Sequence, residues 1–143
     1  MDEQFDRQKS FGWMINVVAS QAAKNLETEL AKHDFPRSLW PTMMCLWEKE
    51  GVTQREIAQI AKVENSTTTR IIDKLEILGL VERRDDPNSR RSYRIYLTEA
   101  GRDLKGTLQP LALKVNKEIL DVLEPKEQDE MIRLLQKMMP TSI

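Results

Sequence analysis

Residues 53–98 decide the fold: TQREIAQIAKVENSTTTRIIDKLEILGLVERRDDPNSRRSYRIYLT. The stretch opens with Thr53 and has Glu56 three residues later, the pattern of a capping box that begins a helix. A small apolar face, which lets a second helix cross closely, consists of Ile57, Ala58 and Ala61. A tight turn at residues 62–64 follows. The pattern therefore predicts two short crossing helices.

The second of these helices is expected to run from about Asn65 to Leu78. Its inward positions recur at helical spacing and are Ile71, Ile72, Leu75 and Leu78. Gly79 fits the left-handed position that ends a helix. The chain then continues as an extended segment at 80–84, a loop at 85–89 and a return at 90–97. Together these features predict a helix-turn-helix followed by a two-stranded wing.

The opening turns of the second helix carry short polar side chains, N-S-T-T-T, and no charge before Arg70. Such side chains let a helix sit deep in a DNA groove and bond to base edges or phosphates. Between Arg83 and Arg94, five arginines oppose two aspartates, a balance of +3, although the whole chain carries −1. Residues 121–130 carry five acids and one lysine, a balance of −4. This separation of charge along the chain favours a protein that binds DNA in one orientation. The alternative is that both regions are ordinary solvated faces.

Residues 57–101, IAQIAKVENSTTTRIIDKLEILGLVERRDDPNSRRSYRIYLTEAG, resemble the winged-helix core of the MarR family of bacterial transcription regulators. The resemblance is close over residues 46–101 and looser over the flanking helices. Its most specific parts are GLVERRDDP, the following RR and LTEAG. The resemblance implies a homodimer that binds a pseudo-palindromic double-stranded operator. It also implies a repressor that a small aromatic effector releases from DNA.

The resemblance places Ser66, Thr67, Thr69 and Arg70 on the helix that reads DNA, and it places Arg91 at the wing tip, in the minor groove. The hydroxyl-rich helix and the arginine cluster extend this set. The candidate DNA-binding residues are Asn65, Ser66, Thr67, Thr69, Arg70, Arg83, Arg90, Arg91 and Arg94.

Two positions depart from the family pattern. Ser89 stands where the family usually has an aspartate two residues before the wing-tip arginine, so the usual ion pair cannot form in the same way. Arg91 is then expected to be held by a hydroxyl, by Asp85 or by Asp86. Thr68 occupies an inward position that is commonly valine, and its hydroxyl needs a hydrogen-bond partner near the core.

The length of 143 residues predicts one domain, 1–143, with the winged helix-turn-helix at about 38–98. Dimerisation helices are expected at about 7–33 and 98–139. The fold class is mainly α with a small β-wing. Within it, Ser38 and Thr98 are predicted to cap helices and Pro110 to kink one. The last helix is expected to turn four residues inward: Met131, Leu134, Leu135 and Met138.

A dense aromatic and methionine group near the second predicted helix suggests an adaptable effector pocket. Its candidate lining residues are Trp13, Trp40, Met43, Met44 and Trp47. The alternative is that most of these side chains form the core.

Other functional classes receive little support. The chain has no Ser-His-Asp set and no glycine-rich phosphate loop, so we expect no catalytic residues, no enzyme and no cofactor. One histidine, His33, and one cysteine, Cys45, predict no metal site and no intrachain disulfide. No apolar run approaches a membrane span, and the N-terminus lacks a secretory pattern, which predicts a cytoplasmic protein.

Two alternatives stay open. Cys45 would permit a redox-responsive regulator, although large apolar neighbours would blunt its reactivity. A helical interaction module that has lost DNA binding is the other alternative, against which the wing arginines speak. The sequence identifies neither the effector nor the operator nor the regulated genes, and leaves repression and activation open.

Overall fold

The computed structural model describes residues 4–140, so the outer three residues at each end of the predicted domain lie outside the described residues. The helices are α1 (Phe11–Ala31), α2 (Trp40–Glu48), α3 (Gln54–Ala61), α4 (Asn65–Ile77), α5 (Glu99–Leu120) and α6 (Pro125–Met138). The strands are β1 (Val52–Thr53), β2 (Val81–Asp86) and β3 (Ser89–Leu97), which form one antiparallel sheet in the order β1-β3-β2. The mainly α fold with a small β-wing is confirmed. None of the helices within residues 4–140 combines the length and the hydropathy of a membrane-spanning segment.

One core joins the winged part to the long helices. Its most deeply buried side chains come from every layer: Leu30 of α1, Met43 and Leu46 of α2, Ile57 of α3, Ile72 and Leu75 of α4, Ile95 of β3 and Leu108 of α5. Because α1 and α5 contribute to the same core as α3 and α4, the position of the helix-turn-helix is fixed relative to both long helices.

The turn between α3 and α4 forms as predicted. The Thr53 hydroxyl accepts a hydrogen bond from the Glu56 amide at 3.1 Å, which is one half of the predicted capping box. The reciprocal bond, in which the backbone amide of Thr53 would donate to the Glu56 carboxylate, is absent from the contacts of the described residues. Lys62 adopts the left-handed conformation, with φ of 59°, and ends α3. The hydroxyl of Thr68 donates to the carbonyl of Glu64 at 3.0 Å, so this inward polar group is satisfied within its own helix.

Two details of the predicted helices were wrong. Leu78 is 49% exposed, because α4 ends at Ile77 and Gly79, with φ of 75°, turns the chain away. Ser38 caps no helix, since the extended residue of this segment is Pro36. A 3₁₀ turn, Arg37–Leu39, leads from it directly into α2.

The outer helices differ from prediction in their bounds and in the burial of α6. α1 begins at Phe11, after a separate 3₁₀ turn at Arg7–Lys9. α5 continues through Pro110 as one helix, and the kink at Pro110 stays a prediction. Three predicted inward residues of α6 are exposed in the single chain, by 39% to 54%: Met131, Leu134 and Met138. The prediction was wrong for the single chain, because no helix among residues 4–140 covers the apolar face of α6.

The base of the wing meets α5 at a close backbone contact. The Thr98 hydroxyl donates to the carbonyl of Gly79 at 2.6 Å and accepts from the amide of Gly101 at 3.1 Å. The indole N–H of Trp47 donates to the carbonyl of Gly101 at 2.9 Å. A Cβ atom at Gly101 would lie 2.1 Å from the carbonyl oxygen of Leu80. Glycine is therefore required here by space.

We predict that Gly101→Ala destabilises the fold by about 1–3 kcal/mol, since the new methyl group displaces backbone at the junction. Gly106→Ala is the matched control on the same helix, because a Cβ there meets nothing within 4 Å. It should be neutral or stabilising by about 0.5–1 kcal/mol. Urea unfolding followed by circular dichroism measures both. Equal stability of the two variants would contradict the account of the junction.

Candidate nucleic-acid interface

One side of α4 presents an exposed polar surface. Asn65, Ser66 and Arg70 are exposed there, at positions that share a helix face. Thr69 lies at its edge, where its hydroxyl donates to the carbonyl of Asn65 at 3.0 Å and accepts from the side-chain amide of Gln54. The start of α3 thus holds the edge of this surface. The structure brings together four of the five predicted α4 residues.

Thr67 lies away from that surface. It is half-buried and lines a cavity of about 740 Å³ together with Ile71, Val63 and Glu27, among others. The structure therefore separates Thr67 from Ser66 and Arg70. The helical period places Thr67 next to Ile71, and this proximity was the available signal in the sequence.

The wing tip exposes two arginines. The hairpin turns at Pro87 and Asn88, and Arg90 and Arg91 follow on β3 with exposed side chains. The Ser89 hydroxyl accepts a weak hydrogen bond from the backbone amide of Arg91 at 3.4 Å. Among the ion pairs of the described residues, neither of these two guanidinium groups takes part. Both are thus available to a partner outside the chain.

Arg83 faces inward and joins the wing to α4. Its side chain is only 17% exposed and lies 2.6 Å from the Asp73 carboxylate. It also pairs with Glu76. The alternation of β2 gave a signal for this, because Arg83 shares a sheet face with buried Val81. The arrangement occupies Arg83 with two carboxylates of α4 and neutralises acidic charge beside the polar surface.

Arg94 also makes its contacts within the chain. Its Nη1 donates to the carbonyl of Gly51 at 2.8 Å, and its Nε donates to the Asp86 carboxylate at 3.2 Å. A hydrogen bond from the amide of Asn88 lowers the pKa of Asp86, and Arg94 lowers it further, while burial opposes both. Asp86 therefore stays ionised beside Arg94. No local sequence pattern identifies a contact that spans 43 residues.

A cleft of about 440 Å³ lies between α4 and the wing. It is lined by Gln54, Thr69, Arg83, Arg91, Ser92 and Tyr93. Polar and cationic groups on its walls suit an anionic chain such as the DNA backbone. Gln54 and Tyr93 were not among the predicted residues. The signal for Gln54 was its place directly after the capping residue, at a helix N-terminus that attracts anions.

The predicted effector residues do not form one pocket. Trp40, Met43 and Trp47 are buried in the core, where the two indole rings meet edge to face at 5.5 Å. Trp13 is exposed and lies under the guanidinium of Arg7. Of the five residues, Trp40 and Met44 line a common cavity of about 300 Å³. Its other walls are Ala22, Ala23, Leu26, Arg37, Pro41, Ala112, Val115 and Asn116.

Cys45 is buried. Burial raises the pKa of its thiol, and the nearby carboxylate of Glu48 raises it further. A thiol with a raised pKa is a weak nucleophile, so the environment favours a structural role over redox sensing. Within residues 4–140, no three His, Cys, Asp or Glu side chains cluster as metal ligands would.

Comparisons with known proteins identify the family of the chain. The model of the MarR family matches residues 35–93. The regulator TtmR of Methylorubrum extorquens (strain PA1) is 34% identical over 97 residues, which cover 68% of this chain and 50% of TtmR. The chain thus spans about half the length of that relative.

Solved structures extend the likeness to the flanking helices. A MarR transcriptional regulator from Methanosarcina mazei Go1 is 25% identical, with a TM-score of 0.83 over 89% of this chain and 91% of that one. A MarR mutant from E. coli, complexed with operator DNA, has a TM-score of 0.86 at 23% identity and covers 97% of this chain and 100% of its own. The chain therefore belongs to the MarR family of transcriptional regulators.

Proposed function

We propose that the chain acts as a homodimeric repressor that occupies a pseudo-palindromic operator and leaves it when a small aromatic effector binds. The DNA-binding part of this proposal is supported by the distribution of charge on α4 and the wing. Exposed Arg70, Arg90 and Arg91 have no ion-pair partner within residues 4–140, whereas the nearby carboxylates of Asp73 and Asp86 are paired. Cationic groups on α4 and the wing therefore face outward together.

This arrangement fits both grooves of DNA. α4 presents Ser66 and Arg70 on a face that can enter the major groove, where short side chains and an arginine reach base edges and phosphates. The wing presents Arg91 beside it, and a narrow minor groove attracts arginine. Asn65 and Thr69 complete the proposed contact surface, which Arg83 and Arg94 support from inside the chain.

Homodimerisation follows from the apolar surface that one subunit leaves exposed. The exposed large residues of α1 are Phe11, Trp13, Met14, Val17 and Val18, and those of α6 are Met131, Ile132, Leu134 and Met138. Burial of such surface stabilises by about 25 cal/mol per Å². A two-fold dimer formed through α1, α5 and α6 would present two copies of α4 about one DNA turn apart.

The proposed effector site is the cavity of Trp40 and Met44. It lies between α1, α2 and α5, and Arg37 and Pro41 also line the larger cavity that reaches Thr67 and Ile71 of α4. A ligand that spreads these walls would move α4 relative to α1. Such a shift would change the spacing of the two DNA-contacting helices in a dimer. Effector binding would in this way release the protein from DNA.

DNA binding is tested by fluorescence anisotropy with two DNAs: the region upstream of the gene that encodes this chain, and random DNA. We expect an affinity loss of about three to five decades between 50 and 200 mM salt, if roughly 6–10 phosphates are contacted. Arg70→Ala should make the salt slope, the slope of log binding constant against log salt concentration, shallower by about one if Arg70 holds a phosphate. Ser66→Ala should keep the slope and reduce the preference for the operator by about 1–3 kcal/mol if Ser66 bonds to a base. A flat salt response, or no binding to either DNA, would favour a helical interaction module.

The dimer is tested by Leu134→Glu, with Gln136→Glu as the control on the same helix. We expect the first variant to shift the dimer towards unfolded or monomeric chain, because it places a charge in the interface. The control should leave the dimer intact. Size-exclusion chromatography with light scattering measures the mass. A Leu134→Glu dimer as stable as its parent would contradict the proposed interface.

The effector site is tested by Ala112→Leu, which fills the smaller cavity from α5. Exposed Ala100→Leu is the control on the same helix. We expect a panel of small aromatic acids and phenols to release the parent and the control from DNA, and to leave the cavity-filled variant bound. The measurement is anisotropy of labelled operator with and without each compound. Release of Ala112→Leu at the parental concentration would place the effector elsewhere.

A further inference from the structure

A buried carboxylate lies near the tip of the wing. The side chain of Asp86 is 7% exposed, although its neighbours Asp85 and Pro87 are exposed. A buried carboxylate is costly unless it is paired and hydrogen-bonded. One oxygen of Asp86 accepts from the backbone amide of Asn88 at 3.0 Å and from Nε of Arg94 at 3.2 Å. The wing therefore has an internal fixed point close to its turn.

Arg94 connects that point to the body of the protein. Its Nη1 donates to the carbonyl of Gly51 at 2.8 Å, and the amide of Gly51 donates to the carbonyl of Ile95 at 2.8 Å. Gly51 immediately precedes β1, and β1 leads into α3. The resulting clamp, Asn88–Asp86–Arg94–Gly51, ties the wing turn to the segment that begins the helix-turn-helix.

The register of the hairpin shows what the clamp encloses. Asp85 pairs with Tyr93, but Asp86 pairs with Ser89. Residues 90–92 of β3 consequently have no partner on β2 and form a bulge. Arg90 and Arg91 lie on this bulge. The two ends of the bulge are thus set by Asp86 on one side and by the ladder of β2 with β3 on the other.

We infer that Asp86 and Arg94 are positioning residues that hold this bulge so that Arg91 is presented to the minor groove. The inference rests on the proposed DNA binding. The clamp orients Arg91 through the backbone of the bulge. Ser89 has no carboxylate with which to hold that arginine, and among the contacts of residues 4–140 Asp86 makes no hydrogen bond or ion pair with its guanidinium. A direct DNA role for Arg94 fits less well. Its side chain is 32% exposed, and its Nε and Nη1 already donate within the chain.

The test is a double-mutant cycle of Arg94→Gln with Arg91→Ala, read by operator affinity at fixed salt. We expect Arg94→Gln to weaken binding about two- to tenfold in the parent, the cost of ordering one long side chain on binding. In the Arg91→Ala background it should change affinity by less than about twofold, since the clamp acts through Arg91. The salt slope should not change for Arg94→Gln, whereas removal of a direct phosphate contact would lower it by about one.

The matched control is Arg84→Gln. Arg84 is the register partner of Arg94 and carries the same charge, but it pairs with Glu82 and stacks on Tyr96 without reaching Gly51. We expect the effects of Arg84→Gln and Arg91→Ala on operator affinity to be additive. Additive effects of Arg94→Gln and Arg91→Ala, or a reduced salt slope for Arg94→Gln, would overturn the positioning role.

A second arm uses no DNA. Hydrogen exchange of the Asn88 amide should be faster in Arg94→Gln than in the parent and in Arg84→Gln, because the Asp86 acceptor loses its fixed partner. Unchanged exchange would overturn the clamp. A parent protein that binds no DNA, while exchange at Asn88 is still faster in Arg94→Gln, would contradict the proposed function and the role of Asp86 and Arg94 in presenting Arg91 to DNA. That result would leave the clamp as a structural feature.

Discussion

The close approach of Gly101 to the carbonyl of Leu80 is the constraint on which the rest of the structure depends. At this junction α4 ends, the wing begins and α5 departs, and Thr98 bonds to both sides of it. Trp47 adds a buried hydrogen bond from α2 to the carbonyl of Gly101. Because these contacts are made by backbone and short side chains, the angle between the helix-turn-helix and the long helices has little freedom.

Arginine has two separate tasks in the winged part. Arg83 and Arg94 face other groups of the chain and fix the wing to α4 and to the segment before β1, respectively. Arg70, Arg90 and Arg91 are exposed, and theirs is the charge that we propose attracts DNA. Inward arginines that neutralise Asp73 and Asp86 also remove repulsion from the surface that DNA would meet. The same residue type thus provides rigidity in one place and attraction in another.

The sequence predicted the helix-turn-helix, the wing and the capping residues Thr53 and Thr98 because these depend on local spacing. It placed Arg83 and Arg94 on the interface because composition cannot distinguish an arginine that faces DNA from one that faces a distant carbonyl. Thr67 and Leu78 were misplaced by a fraction of a helical turn, a difference that packing decides. The five residues of the predicted pocket do not line one cavity for a similar reason, since aromatic side chains fill a core as readily as they line a cavity. The exposed face of α6 shows the opposite limit: its residues were correctly recognised as an apolar stripe, but no helix among residues 4–140 covers that stripe.

The central claim is that α4 and the wing form one rigid unit that contacts two grooves of the same half-site. The most direct measurement is a footprint of the parent protein on its operator, with dimethyl sulfate for the major groove and hydroxyl radicals for the minor groove. The account predicts protected guanines at two positions about 10 base pairs apart, each flanked on its outer side by minor-groove protection. Protection of the major groove alone, or of a single site without two-fold symmetry, would contradict it.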